Sequence, residues 1–155
     1  MTVALASDHV GLPLKRAIIA HLEERGVACR DFGTNSDARC DYPQFALPAA
    51  KAVADGEYTC GILCCGTGIG MSIAANKVAG IRCTACSDGY SAALSRAHNN
   101  ANILALGSRV VGTGLALQIV DLFLDTPYEG GRHARRLEQI CEIERSGGSA
   151  AQKGD

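Results

Sequence analysis

A glycine-rich segment near the middle of the chain carries the residues best suited to chemistry. Residues 61–77 begin with a short apolar run, continue through glycines at alternate positions and end in a helix-forming stretch. A strand, a glycine loop and a helix in this order can form an anion cradle, because glycines let backbone N–H groups converge and the helix N-terminus adds positive potential. Cys65 stands where the strand ends, a position that stabilises a thiolate. The segment predicts an oxyanion site served by a thiolate base or nucleophile.

Two well-known phosphate-binding motifs do not fit this loop. Its glycines follow the pattern G-x-G-x-G instead of the G-x-G-x-x-G of dinucleotide-binding folds, and they do not follow the first strand. The loop of nucleoside triphosphatases would place Lys-Ser or Lys-Thr after the last glycine, whereas Met71 and Ser72 follow here. A purely structural turn needs only two glycines, so three glycines beside a thiol favour a functional site.

Composition predicts one domain with no general affinity for nucleic acid or membranes. The chain has 155 residues, 47% of them hydrophobic, and a net charge of -1. Aromatic residues are 5% with no Trp, which leaves few stacking platforms for bases. No run approaches the about 18 apolar residues of a membrane span, and the N-terminus lacks the basic start of a signal peptide. We predict a cytoplasmic protein with one domain at residues 1–145 and a disordered, Gly/Ser/Ala-rich tail at 146–155.

Eight cysteines raise the question of disulfides, zinc binding or redox chemistry. Most lie in apolar runs, where cysteine acts as a small hydrophobic residue, and a cytoplasmic protein keeps them reduced. Cys83 and Cys86 have the C-x-x-C spacing of thiol–disulfide oxidoreductases, but Cys83 falls inside a strand-like run. Together with Cys60 and Cys64 they could supply four zinc ligands by count, although structural zinc sites usually occupy loops. Core packing is the preferred interpretation, and the redox and zinc alternatives stay open.

Strand and helix patterns alternate along the chain, which predicts βαβ units. Short apolar runs are the predicted strands, at residues 3–7, 27–32, 59–64, 81–85 and 102–106. Such a chain forms a five-stranded parallel sheet covered by helices on both faces, here with an extra helix at 132–145. Ligands bind beyond the carboxyl ends of parallel strands. Asp8, His9, Cys65 and Arg109 all stand at strand ends and are expected at that edge.

A basic cluster begins the last predicted helix. Arg132, Arg135 and Arg136 lie there with His133 between them. A solvated helix face is the common explanation, but Arg132 and Arg136 are four residues apart on one face, which suits the oxygens of a phosphate. A thiol base, a glycine cradle and a guanidinium pair together indicate proton removal next to the carbonyl of a phosphorylated substrate.

Seven short motifs resemble those of the type B ribose-5-phosphate isomerase family, which also includes allose-6-phosphate and galactose-6-phosphate isomerases. The resemblance spans about residues 3–145, and the motifs agree with the family in order and spacing. The motifs are Ser7-Asp8-His9, Asp41-Tyr42-Pro43, Cys65-Gly66-Thr67-Gly68-Ile69-Gly70, Ala74-Ala75-Asn76-Lys77, Ser95-Arg96-Ala97-His98-Asn99, Gly107-Ser108-Arg109 and Glu129-Gly130-Gly131-Arg132-His133. The resemblance implies a Rossmann-like fold, an aldose–ketose isomerase without metal or cofactor, and a homodimer or tetramer.

The resemblance also implies roles for individual residues. Cys65 matches the proton-abstracting base, Thr67 a hydroxyl that assists at the reacting carbons, and His98 the residue that opens the sugar ring. One branch of the family instead has a glutamate at the position of Met71. The implied substrate contacts are Asp8, His9, Tyr42, Gly66, Thr67, Gly68, Ile69, Gly70, Asn99, Arg109, Arg132 and Arg136.

The expected reaction interconverts ribose 5-phosphate and ribulose 5-phosphate through ring opening and an enediolate. Three alternatives stay open: a hexose phosphate substrate such as allose 6-phosphate or galactose 6-phosphate, a phosphate-sensing module without catalysis, and the thiol–disulfide oxidoreductase. We also expect each active site to combine two subunits. The helix that ends at His98 runs back from the site edge by about ten residues, or about 15 Å, whereas proton transfer needs about 3 Å.

Overall fold

The computed structural model describes residues 1–147. The predicted disordered tail at 146–155 lies outside this range apart from Ser146 and Gly147. Every predicted strand and helix forms, with ends that differ from the prediction by one or two residues. The elements are β1 (Thr2–Ser7), α1 (Leu12–Glu24), β2 (Ala28–Asp31), α2 (Pro43–Ala54), β3 (Cys60–Cys65), α3 (Ile69–Ala75), β4 (Cys83–Ala85), α4 (Gly89–Ala97), β5 (Ile103–Gly107), α5 (Thr113–Asp125) and α6 (Arg132–Arg145).

The sheet is parallel throughout, and its strands follow the order β2-β1-β3-β5-β4. The chain leaves β1 toward one side for β2 and crosses to the other side for β3, which makes a topological switch point between β1 and β3. The register pairs Ser7 with Cys64 and Cys65 with Gly107. The carboxyl ends of β1, β3 and β5 therefore lie side by side, where a ligand site is expected.

Two apolar cores cover the two faces of the sheet. Val3 and Leu5 of β1 belong to the core that holds the apolar faces of α1, α4 and α5. Ala4 and Ala6 belong to the core that holds α2 and α3. Burial on both faces explains why the strands are continuous apolar runs without alternation. The predicted three-layer α/β/α sandwich is confirmed, and no helix among residues 1–147 is long and apolar enough to cross a bilayer.

The cysteines behave largely as the core-packing interpretation predicted. All eight lie within the described residues as free thiols, and four of them, Cys60, Cys64, Cys65 and Cys86, are buried. Burial raises the pKa of Cys83 to about 12 and also raises the pKa of Cys86. A redox-active pair needs a lowered thiol pKa, so this environment disfavours the oxidoreductase alternative.

The zinc alternative is wrong for this structure. Among residues 1–147, the sulfur atoms of Cys60, Cys64, Cys83 and Cys86 do not come close enough together to bind one metal ion. The residues whose ligand atoms do come that close are His98, Glu129 and His133, and none of them is a cysteine. The reason is topological, because Cys60 and Cys64 lie in the central strand β3, whereas Cys83 begins the edge strand β4 beyond β5.

The last helix, α6, packs little against the rest of the domain. Of its residues only His133 is buried, while Ile140 and Ile143 are 47% and 57% exposed. Near its end, Glu144 accepts hydrogen bonds from the backbone N–H of Gly80 at 3.0 and 3.1 Å. A groove of about 830 Å³ lies between α6 and the β4 edge. This part of the surface leaves apolar side chains without cover in a single chain.

Candidate active site

The glycine loop places a thiol at the carboxyl edge of the sheet. Cys65 is the last residue of β3, and its Sγ accepts a hydrogen bond from the backbone N–H of Gly68 at 3.2 Å. Gly68 precedes α3 with a left-handed φ of 79°. A Cβ added there would lie 3.0 Å from the carbonyl carbon of Leu106, so both conformation and space require glycine. The predicted combination of thiol and glycine cradle is therefore formed.

Two side chains from distant segments close around this loop. A Cβ at Gly70 would lie 2.7 Å from the ring of Tyr42, so that ring packs directly against the loop backbone. Arg109 donates its backbone N–H to the carbonyl of Gly66 at 3.0 Å, which ties the end of β5 to the loop. Thr67 is exposed, and its Oγ1 accepts the N–H of Ile69 at 3.3 Å. Tyr42, Arg109 and residues 65–70 thus form one continuous site.

Asp8 and His9 enter the same edge from β1. The backbone N–H of Asp8 donates to the carbonyl of Cys64 at 3.3 Å, and its buried carboxylate accepts the N–H of Gly11 at 2.8 Å. The Nδ1 of His9 faces the backbone N–H of Cys40 at 3.3 Å. An amide N–H is a donor, so Nδ1 accepts and the neutral ring carries its proton on Nε2. The predicted edge of acid, imidazole, thiol and guanidinium is confirmed, with His9 ready to donate from Nε2.

The remaining predicted site residues lie at the other end of the sheet. α4 begins just beyond the carboxyl end of β4, runs back over nine residues, or about 14 Å, and is followed by His98. Two groups result. The carboxyl-edge group consists of Asp8, His9, Tyr42, Cys65, Gly66, Thr67, Gly68, Ile69, Gly70 and Arg109. The amino-edge group consists of His98, Asn99, Arg132 and Arg136, which lie around a hollow of about 170 Å³ or at its edge.

Two residues that sequence reasoning missed complete the amino-edge group. The ring of His133 stacks on that of His98, with centroids 4.1 Å apart and planes at 9°. Glu129 Oε2 lies 3.8 Å from His98 Nε2 and 3.6 Å from His133 Nε2. Both residues occur in the motif that begins the last helix, but no spacing signal shows that they meet His98.

The protonation state of His133 follows from its neighbours. Arg132 Nε donates to His133 Nε2 at 3.3 Å, and a guanidinium cannot accept a hydrogen bond, so Nε2 carries the lone pair. Burial lowers the pKa of His133, and the nearby charges of His98, Arg132 and Arg136 lower it further against the opposing effect of Glu129. His133 is therefore a neutral ring at neutral pH, with its proton on Nδ1.

His98, Glu129 and His133 also offer metal-ligand atoms within 4.8 Å of one another. An imidazole binds a metal through a lone pair that lies in the plane of its ring. Because the two rings are nearly parallel and stacked, no single position lies in both planes. Chelation would require at least one ring to turn, so the residues present fit a metal ion poorly.

Comparisons with known proteins place this arrangement in a family. A family model described as ribose/galactose isomerase matches residues 3–140. Ribose-5-phosphate isomerase B from Escherichia coli is 59% identical over 142 residues, which cover 92% of this chain and 95% of that protein.

Solved structures agree with the sequence relatives. Ribose-5-phosphate isomerase B from Clostridium thermocellum superposes with a TM-score of 0.93 at 53% identity, covering 94% of this chain and 99% of that one. The enzyme from Mycoplasma genitalium, solved with bound ribulose-5-phosphate, gives a TM-score of 0.89 at 44% identity, with 93% and 96% coverage. The chain therefore belongs to the ribose/galactose isomerase family that its motifs predicted.

Proposed function

We propose that this protein is a ribose-5-phosphate isomerase, which interconverts ribose 5-phosphate and ribulose 5-phosphate through ring opening and an enediolate. The observation that carries the proposal is the hydrogen bond from the Gly68 N–H to Cys65 Sγ at 3.2 Å. It places the Cys65 sulfur, which accepts one backbone N–H, beside other backbone N–H groups of the loop that can hold an oxyanion. The names of the relatives and the ribulose-5-phosphate bound to the Mycoplasma genitalium enzyme support the pentose phosphate over a hexose phosphate.

The proposed reaction moves one proton between neighbouring carbons. His98 takes the proton of the C1 hydroxyl and supplies one to the ring oxygen, so the C1–O bond of the furanose breaks and the aldehyde forms. The Cys65 thiolate then removes the C2 proton, and the electron pair moves onto the carbonyl oxygen to give the enediolate. Backbone N–H groups of residues 66–70 stabilise this anion while the Thr67 hydroxyl assists at the reacting carbons. Transfer of the C2 hydroxyl proton to O1 and return of the abstracted proton to C1 then give the ketose, with a carbonyl at C2 and a hydroxyl at C1.

The substrate contacts that we propose divide between the two groups. Asp8, His9, Tyr42 and Arg109 contact the sugar phosphate from the carboxyl edge, with His9 donating from Nε2. Asn99, Arg132 and Arg136 contact it from the amino-edge group. The three guanidiniums supply the positive charge that a phosphate dianion requires.

We infer that these contacts combine in a homodimer with shared active sites, or in a tetramer built from such dimers. Within one chain, Cys65 and His98 lie at opposite ends of the sheet, too far apart for proton transfer. A two-fold axis lets each subunit supply the amino-edge group to the carboxyl-edge group of its partner. Exposed apolar residues also support an interface: Ile69 and Ile73 beside the glycine loop, and Ile140 and Ile143 on α6.

Subunit mixing tests the shared site. Cys65→Ala and His98→Asn are each expected to be inactive as homodimers. After verified subunit exchange, a mixed dimer has one site with both groups and one with neither, so equal mixing should restore about a quarter of wild-type activity. If exchange is verified and no activity returns, both residues act within one chain.

Turnover measurements test the reaction and its substrate. Purified protein is assayed with ribose 5-phosphate, allose 6-phosphate and galactose 6-phosphate, and the highest kcat/KM is expected for ribose 5-phosphate. A preference for a hexose phosphate would replace the substrate assignment. Binding of a phosphosugar without any turnover would support the phosphate-sensing alternative instead.

We also propose that the enzyme acts in the cytoplasm and needs no cofactor. All eight of its cysteines, which lie within the described residues, are free thiols, as a reducing compartment would keep them. The proposed reaction transfers protons only, between groups that the chain itself provides, so its balance requires no electron carrier, and backbone N–H groups of the glycine loop stabilise the enediolate charge.

A further inference from the structure

The turn that carries His98 and Asn99 has an uncommon backbone conformation. Asn100 has a left-handed φ of 45°, and it is the single non-glycine residue with a positive φ among residues 1–147. Asparagine tolerates this region better than most side chains, but the conformation still needs support. The backbone N–H of Asn100 donates to the carbonyl of Arg96 at 3.1 Å, and that of Ala101 donates to Ser95 at 2.9 Å. These bonds close the turn formed by residues 98–101.

Two guanidiniums then donate hydrogen bonds to this turn. Arg82 donates from Nε and Nη2 to the same carbonyl oxygen, that of Asn100, at 3.0 and 2.9 Å. Arg96 donates from Nη1 to Asn100 Oδ1 at 3.3 Å and also to the carbonyl of Ala101. The guanidinium of Arg96 lies over the ring of Phe123, 5.4 Å from its centroid, which fixes its plane.

Arg82 is itself fixed by the neighbouring segment. Its backbone N–H donates to Asn102 Oδ1 at 2.8 Å, and the amide of Asn102 donates to the carbonyl of Gly80 at 2.8 Å. No carboxylate among residues 1–147 forms an ion pair with Arg82 or Arg96. Both cations are partly buried, and both make their shortest side-chain hydrogen bonds to one turn, which contains the proposed ring-opening residue His98.

We propose that Arg82 and Arg96 are positioning residues for ring opening, because they hold the turn at 98–101 and thereby fix where His98 and Asn99 meet the substrate. This inference rests on the proposed function, in which His98 opens the sugar ring. Neither arginine touches the reacting atoms. A planar guanidinium can place two donors on one carbonyl oxygen in a fixed direction, whereas a lysine ammonium cannot hold the carbonyl in one orientation.

Two reactions of the same enzyme separate ring opening from proton abstraction. Conversion of ribose 5-phosphate requires the furanose to open. Exchange of the C1 proton of ribulose 5-phosphate with D2O, followed by NMR, requires only Cys65 and the enediolate, because the C5 hydroxyl is esterified and this ketose has no ring. Erythrose 4-phosphate is a second open-chain probe, since its esterified C4 hydroxyl cannot close a five-membered ring.

Arg82→Lys and Arg96→Lys keep the charge but lose the fixed fork of donors. We expect kcat for ribose 5-phosphate to fall by about 10-fold to 100-fold, as displacement of a catalytic group by about 1 Å would produce. Exchange from ribulose 5-phosphate and turnover of erythrose 4-phosphate should change by less than about 3-fold. Asn100→Gly retains the left-handed φ and removes only the Oδ1 acceptor of Arg96, so it should show the same selectivity with a smaller loss.

Arg25→Lys is the matched control, because the Arg25 guanidinium pairs with Asp121 and Asp125 and not with the turn at 98–101. It should leave the ratio of the two reactions unchanged, whatever it does to the thermal midpoint. If the Arg82 and Arg96 variants lower ring opening and exchange by the same factor, or leave both unchanged, the arginines are structural only and the inference is wrong. A failure of the proposed function would appear already in the wild type, as absence of both reactions.

Discussion

The carboxyl-edge and amino-edge groups are built in different ways. Cys65 and its loop are held by the main chain: a buried strand paired on both sides, a glycine with positive φ and backbone N–H groups. His98 lies among charged and titratable side chains. Its ring stacks on His133, which accepts a hydrogen bond from Arg132, and the Glu129 carboxylate lies 3.8 Å from its Nε2. The first group should therefore be sensitive to small backbone changes and the second to charge and pH.

Cys64 and Cys65 are adjacent in the chain, but their thiols lie on opposite faces of the sheet in different surroundings. Cys64 points into the core below α1, where burial raises its pKa far above the usual range, so it remains a thiol. Cys65 points to the opposite face of β3 and receives the Gly68 N–H. The period of two along a strand thus separates a packing cysteine from the proposed base.

The largest effect is expected from removing the base. Cys65→Ala should lower isomerisation by about 10²-fold to 10⁴-fold, the range for loss of a general base, while phosphosugar binding persists. The measurements are kcat by ketose formation and binding by calorimetry. Cys64→Ala is the matched control and should keep activity within a few-fold, as should Cys83→Ala/Cys86→Ala. Near-normal activity of Cys65→Ala would remove the thiol from the mechanism, and inactivity of the folded double variant would revive the redox alternative.

A smaller but still large effect should follow from moving one backbone N–H. Gly68→Ala places a Cβ 3.0 Å from the Leu106 carbonyl carbon and strains a φ of 79°. Displacement of the donor to Cys65 should lower kcat by about 10²-fold. Gly56→Ala has a similar φ of 77° with open space around it, so it should cost about 1–2 kcal/mol of stability without loss of activity. Equal kinetic losses in both variants would show that backbone strain alone, and not the donor's position, matters.

We expect a moderate effect of pH on the thermal stability of the protein, caused by His133 of the amino-edge group. Folding lowers the pKa of His133 below its usual 6.5, so the unfolded chain binds more protons as the pH falls. The thermal midpoint should therefore decrease as the pH falls from about 7.5 to about 5.5. His133→Gln cannot titrate and should flatten this decrease. An identical pH dependence in the variant and the wild type would show that other groups cause it.

The smallest effect is expected from removing metal ions. His98, Glu129 and His133 have the right atom types, but their stacked rings do not converge on one position. Exhaustive chelation followed by desalting should leave kcat unchanged. Loss of activity that zinc or manganese restores would contradict the thiol mechanism and would make the amino-edge group a metal site.

The sequence alone determined the features that depend on neighbouring residues. Short apolar runs predicted the strands to within one or two residues of the observed ends. The sequence before α4 offers Ser87 or Asp88 as its cap, and Asp88 is the one that accepts the Ser91 N–H, at 2.7 Å. The glycine loop after β3 was equally readable, because its conformation depends on residues that follow one another in the chain.

Only the tertiary structure decided which distant residues meet. Nothing in the spacing of His9 and Cys40 predicts that the backbone N–H of Cys40 donates to the ring of His9 and fixes its orientation. The same holds for the ring of Tyr42 against Gly70. Such contacts depend on strand order and on the path of long connections, and many arrangements share the same local pattern of strands and helices. Local sequence patterns therefore identified the strands, the helices and the glycine loop that carries Cys65. Long-range packing determined the positions of the reactive groups relative to one another.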